Sequence, residues 1–157
     1  MEESKEQIDQ PPPTNITVQG DADIDYNWLQ ENACNALGFL HLDYSDVSVR
    51  VVDDGEMSLL HMKHSGVAGT TDVLTFDNGG DEHSIQADIA ICIDVAKREA
   101  KQRNHSLQNE LLLYIVHGIL HCCGFDDHDK TAHALMHAEE DRVLSAIGVG
   151  KVWSNEK

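Results

Sequence analysis

At 157 residues the chain has the length of one ordinary domain, enough for one substantial core. Its 28 Asp+Glu against 11 Lys+Arg repel polyanions at long range, so a nucleic-acid substrate requires a local basic patch. Four scattered cysteines, Cys34, Cys92, Cys122 and Cys123, contain no CxxC pair, which excludes a disulfide framework and a cysteine-rich zinc module.

Hydrophobic residues at 41% and charged residues at 25% fit a soluble globular protein. The start, Met1 to Glu6, lacks the basic stretch and apolar run of a secretory signal, and no apolar run reaches bilayer length. The expected location is cytoplasmic, with no membrane partner.

Residues 1–13 are polar and end in Pro11-Pro12-Pro13, a stiff tract expected to be a disordered tail. A short strand follows around Asn15 to Gln19. Trp28, Leu29, Ala33, Ala36 and Leu37 recur at helical spacing, with Gly38 as the expected stop. Val47 to Val52 alternates and is rich in β-branched residues, which predicts a strand. Asp53 to Glu56 offers capping side chains for a helix through Met57, Leu60 and Met62, broken at Gly66 and Gly69. Asp72 to Phe76 reads as a third strand, Asn78-Gly79-Gly80 as a turn, and Ala87 to Ile93 as a fourth strand. A helix is expected from Asp94 to about Arg103. Ser106 can cap a long apolar helix from Leu107 to Cys123, closed by Gly124. The last helix is expected from about Lys130 to Ile147. This order predicts an α+β fold: a small mixed four-stranded sheet with surrounding helices. The expected layout is one metallohydrolase domain over residues 14–150 and a C-terminal tail over 151–157.

His117 and His121 stand four residues apart in the predicted long helix, so both fall on one face about one turn apart. That spacing lets two imidazoles reach one ion. Gly124 permits a sharp turn, after which Asp126-Asp127-His128 can swing a third ligand back over the pair. Three protein ligands leave a position open for water, whose pKa zinc lowers to roughly 7. This argues for catalysis by His117 and His121 through a metal-bound water rather than for scaffolding. The commonest helical zinc peptidases carry Glu beside the first His as general base. Here that position is Gly118, which leaves no proton acceptor and is expected to allow a close approach of substrate or backbone. Glu110, two turns earlier on nearly the same stripe, is expected as an outer partner or cap. His133 and His137 repeat the spacing, and an exposed helix face is the plainer reading of them. Cys122 and Cys123 read as small buried hydrophobes.

The stretch from His117 to Asp126 resembles the HGxLHLxGYDH signature of the YbeY family of endoribonucleases. Thr71 to Phe76 is similar to the family's PTDVLSF strand, and Ala87-Asp88-Ile89 to its GDI strand. Ala96 to Ala100 matches the helix that follows, and His105-Ser106-Leu107 with Glu110-Leu111 is similar to its HSxxxEL helix start. The resemblance covers roughly residues 45–147. It implies a single-strand-specific, metal-dependent endoribonuclease acting in ribosomal RNA maturation at the 16S 3′ end and in ribosome quality control. One zinc ion held by three histidines is implied as cofactor, with single-stranded RNA and the ribosome or its small subunit as partners. His117 and His121 take the first two ligand positions. Asp127 stands where the family has its third histidine and keeps the loop length; His128, one residue later, is the alternative if the loop bulges. Thr70 stands in place of the family's Pro. Counting back from Thr71, His61 and Ser65 occupy places where the family commonly has Asn and Arg.

The cluster available for RNA contact is Lys97, Arg98, Lys101 and Arg103, against which stands a plainly solvated helix face. Two other functions compete: another zinc metallohydrolase of peptidase type, and a non-catalytic, metal-stabilised ribosome-assembly factor.

Overall fold

In a computed structural model the described residues are 14–81 and 83–153, so the expected tail over 1–13 lies outside them. Strand β1 spans Thr14–Gly20, helix α1 Tyr26–Phe39, β2 Tyr44–Val52, α2 Asp54–Ser65, β3 Val73–Asp81 and β4 Ser84–Cys92. Helices α3 at Ile93–Arg103, α4 at Leu107–Cys122 and α5 at Lys130–Ala146 complete the chain.

The four strands form one sheet in the order β1-β2-β4-β3. β1 and β2 run parallel, as do β2 and β4, whereas β3 is antiparallel to β4. The expected α+β architecture with a mixed four-stranded sheet is the observed one. Period-two alternation decides which side chains face which layer. Val47, Val49 and Val51 of β2 and Ile85, Ala87, Ile89 and Ile91 of β4 point into the main core with α1 and α4. Val52, Leu74, Ala90 and Cys92 point to the opposite face, where Met57 of α2 covers them.

Helix α4 is the centre of the domain. Every residue from Glu110 to Val116 is buried, as are Gly118, Ile119 and Leu120. Each fully buried Leu or Ile contributes about 1.5–3 kcal/mol, so tertiary packing rather than propensity holds this helix. Its start is set locally: the Ser106 hydroxyl accepts from the Asn109 backbone N–H at 3.1 Å. Ser106→Ala is expected to lower stability by about 1 kcal/mol in urea denaturation, without changing the fold.

The sequence reading differs from the structure in four places. Helix α1 runs through Gly38 to Phe39, since a helical glycine weakens a helix without ending it. The segment Asn78-Gly79-Gly80, expected as a turn, stays in the sheet with a bulge between Asp77 and Gly79, and the chain reverses between Asp81 and Ser84. Gly80 is needed there: at φ +102° a Cβ would lie 2.5 Å from the Ser84 carbonyl oxygen. Ile93 opens α3 instead of closing β4. Finally, Val152 and Trp153, expected in a tail from 151, pack on the domain. Val152 is buried, and both backbone N–H groups donate to Asp141 Oδ1, at 2.7 and 3.0 Å.

Candidate active site

A pocket of about 320 Å³ opens where α4, α5, the start of β3 and the C-terminal Trp153 meet. His117, Asp127, Asp72, Tyr114, His137 and Glu140 are among its lining residues. Between Glu110 and Leu120 of α4, His117 is the residue that is not buried. The buried Glu140 of α5 places its Oε2 2.7 Å from His117 Nδ1, at hydrogen-bond distance. Burial opposes charge on this imidazole, but the Glu140 hydrogen bond and charge, with Asp72 and Asp127 beyond, outweigh it and raise its pKa.

The structure brings Asp127 into the same pocket as His117 and leaves His128 outside. The His128 side chain is 85% exposed and pairs with Asp126 at 3.3 Å. His121 lies one turn beyond His117 at the exposed end of α4. His117, His121 and Asp127 do not offer three ligand atoms that all lie within 4.8 Å of one another; among the described residues only Asp54, Cys92 and Asp94 form such a trio. Closing the first trio requires a change of side-chain rotamer at His121 or Asp127. Both are exposed, and neither side chain carries a hydrogen bond among the described residues that turning would break. Two imidazoles one turn apart and a loop carboxylate suit a divalent metal by donor type. His117 suits it by geometry as well, since its Nδ1 is engaged and its Nε2 has no protein partner among the described residues.

The Asp54 group is of another kind. Arg98 grips the Asp54 carboxylate with two hydrogen bonds, at 2.9 and 3.1 Å, and holds its pKa down to about 2. Cys92 Sγ donates to the same carboxylate, and Asp94 accepts from the Asp54 backbone N–H at 2.8 Å. The cation that balances this group is Arg98, and the result is a clasp between the first turns of α2 and α3.

That clasp divides the basic cluster. Arg98 is committed to Asp54, and Arg103 turns inward, its side chain 19% exposed and ion-paired with Glu110. Arg103 also lies over the Trp153 ring, 4.6 Å from its centre, and lines the pocket. Lys97 and Lys101 remain exposed on α3. Glu110, fully buried, is ion-paired with Arg103 and lies at hydrogen-bond distance from His105 Nε2. Tyr114 sits beside it with a buried hydroxyl short of a full hydrogen bond; burial, reinforced by the Glu110 charge, pushes its pKa up.

Gly118 has a structural reason. A Cβ there would lie 2.9 Å from Ile89 Cδ1 and 3.0 Å from Thr75 Oγ1. The close approach is between α4 and the sheet, rather than between substrate and metal. The cysteines after His121 are inert: burial pushes Cys122 up to about 12 and raises Cys123 as well.

Sequence reasoning missed Glu140, His137 and Trp153. His137 is partly buried, stacked on Trp153 at 3.7 Å between ring centres, and bonded to Glu140 at 3.0 Å. His133, whose ring is exposed, contacts His137 edge-on and also lines the pocket. The spacing of His137 and Glu140, three apart on a helix, was the available signal.

An α+β domain that places a carboxylate-tethered histidine and a loop aspartate in one pocket, on an HxxxH helix, belongs with the metal-dependent hydrolases. Its family is narrower. The family model described as Endoribonuclease YbeY matches residues 15–148, and the chain belongs to that family. The match takes in β1 and α1, upstream of the blocks that carry the resemblance. The Endoribonuclease YbeY of Acidothermus cellulolyticus is 35% identical over 115 residues, 65% of this chain and 70% of the relative. That of Moorella thermoacetica is 36% identical over 119 residues, 67% and 74% respectively. A solution structure of a Thermotoga maritima protein matches with a TM-score of 0.57 and 26% identity, over 83% of this chain and 90% of its own. The activity class that follows is that of a metal-dependent endoribonuclease, a hydrolase acting on ester bonds in RNA.

Proposed function

We propose that this chain cleaves single-stranded RNA in the cytoplasm, at the 16S 3′ end during ribosomal RNA maturation and quality control, with one zinc ion held by His117, His121 and Asp127. The observation that carries the site assignment is the pairing of His117 with Asp127 in one pocket, with His117 tied from behind by Glu140. His128 is the weaker third ligand, since its ring is solvent-exposed and engaged with Asp126. A divalent metal supplies electrophilic activation of the scissile phosphodiester.

The chain's own residues do the rest. Glu140 orients the first imidazole, and Gly124, at φ +105°, lets the loop turn after α4. Tyr114, whose hydroxyl is buried, forms part of the pocket wall. With Arg98 and Arg103 engaged in ion pairs, Lys97 and Lys101 are assigned the long-range attraction of the RNA backbone. No helix among the described residues is long and apolar enough to cross a membrane.

The test pairs zinc-loaded protein with single-stranded and duplex ribosomal RNA fragments, with and without chelator. Cleavage should favour the single strand and vanish on chelation. His117→Ala should reduce it at least about a hundredfold, equivalent to about 2.7 kcal/mol of barrier. Undiminished cleavage by His117→Ala, or cleavage of peptides instead of RNA, overturns the assignment.

A further inference from the structure

We propose that Glu140 is a positioning residue that sets the tautomer of His117, holding the proton on Nδ1 and the lone pair on Nε2 toward the pocket. The inference rests on reading His117 as a metal ligand, which needs that lone pair.

The geometry leaves the carboxylate little freedom. Glu140 is fully buried on α5. Its Oε1 accepts from Trp153 Nε1 at 2.6 Å and lies 3.0 Å from His137 Nδ1. Indole N–H can only donate, so the atom facing Trp153 must be an acceptor. Trp153 is itself fixed: His137 stacks on the ring at 3.7 Å with 22° between planes, and the Arg103 guanidinium lies over it. The Trp153 backbone N–H is anchored on Asp141 Oδ1 at 3.0 Å. With Oε1 held there, Oε2 meets His117 Nδ1 at 2.7 Å and is placed to accept a hydrogen bond from it. Trp153 therefore acts on the histidine through the carboxylate, and it is part of the site.

Replacing Glu140 by Gln sharpens this into a reversal. Trp153 requires the amide oxygen at the Oε1 place, so the amide NH₂ faces His117. That group donates to Nδ1 and drives the ring proton to Nε2, where it blocks a metal. Trp153→Phe removes the one partner that can only donate; His137 Nδ1 can accept as well as donate, so the amide is free to turn its oxygen back to His117.

The test reads ¹⁵N shifts of His117 in metal-free protein at alkaline pH, where the ring is neutral, and zinc affinity separately. Wild type should show the Nδ1–H tautomer, Glu140→Gln the Nε2–H tautomer, and the Glu140→Gln/Trp153→Phe double variant the Nδ1–H form again. Zinc affinity should fall about ten- to a hundredfold in Glu140→Gln and recover in part in the double variant. A wild-type ring protonated on Nε2 overturns the proposal with no variant required. So does a folded Glu140→Gln protein that keeps both the wild-type tautomer and zinc affinity. The ligand reading fails differently: His117→Ala would then bind zinc as wild type does, whatever the tautomer.

Discussion

Gly118→Glu, which writes the peptidase glutamate back beside the first histidine, is expected to destabilise the protein by more than about 4 kcal/mol instead of creating a base. Position 118 faces the sheet. A Cβ there already lies 2.9 Å from Ile89 Cδ1, 3.0 Å from Thr75 Oγ1 and 3.3 Å from Ile89 Cγ2. Ile89 is 1% exposed and in the middle of β4, so it cannot swing aside into solvent. Overpacking of this kind costs about 1–3 kcal/mol, and a carboxylate pressed into an apolar layer adds a desolvation penalty of several more. The gain from replacing a helical glycine is only about 0.8–1 kcal/mol, so it cannot compensate. Gly118→Ala separates the terms: contact and propensity nearly cancel, giving a loss between about 0 and 2 kcal/mol. Urea denaturation of both variants distinguishes them. A glutamate variant as stable as the alanine one would mean that α4 does not lie against β4 in this way. Since total stability is of the order of 5–15 kcal/mol, the glutamate loss removes a large part of it.

The same residue shows where the sequence was legible and where it stopped. Motif comparison correctly flags Gly118 as lacking a side chain for catalysis. Only the packing of α4 on Ile89 and Thr75 explains why none can be there. Features written in local spacing were readable. The alternation of β2, the Asp53 cap of α2, the Ser106 cap of α4 and the Asp129 cap of α5 each depend on neighbours within four residues. Features made by distant partners were not. Glu140 meets His117 across 23 positions of chain, and Arg98 meets Asp54 across 44. A run of four basic residues on one helix reads as a patch until the partners are known; two then prove to be held by carboxylates. The glycine pair at 79–80 misled for a local reason. Positive φ suits a β-bulge as well as a turn, and here the bulge extends the strand.

Glu110→Leu is expected to cost about 3 kcal/mol, and adding Arg103→Leu to restore part of it. Glu110 is fully buried in the first turn of α4, ion-paired with Arg103 and in hydrogen-bond contact with His105. Removing one member of a buried ion pair usually costs about 3–5 kcal/mol, because the surviving charge keeps its desolvation penalty. The low end applies here. Arg103 is 19% exposed and keeps Glu99 at 3.5 Å and the face of Trp153. Replacing both partners removes that stranded charge, so the double variant should be the more stable of the two despite its extra substitution. The effect should also reach the pocket. Arg103 over Trp153, Trp153 on Glu140 and Glu140 on His117 form a continuous line of contacts from the first turn of α4. Glu110→Gln keeps hydrogen-bonding capacity and should cost less than Glu110→Leu, with a smaller change in zinc affinity. Denaturation curves and zinc titrations on the three variants check both expectations. If the double variant is less stable than Glu110→Leu alone, the guanidinium is held by Trp153 and Glu99 rather than by the buried carboxylate.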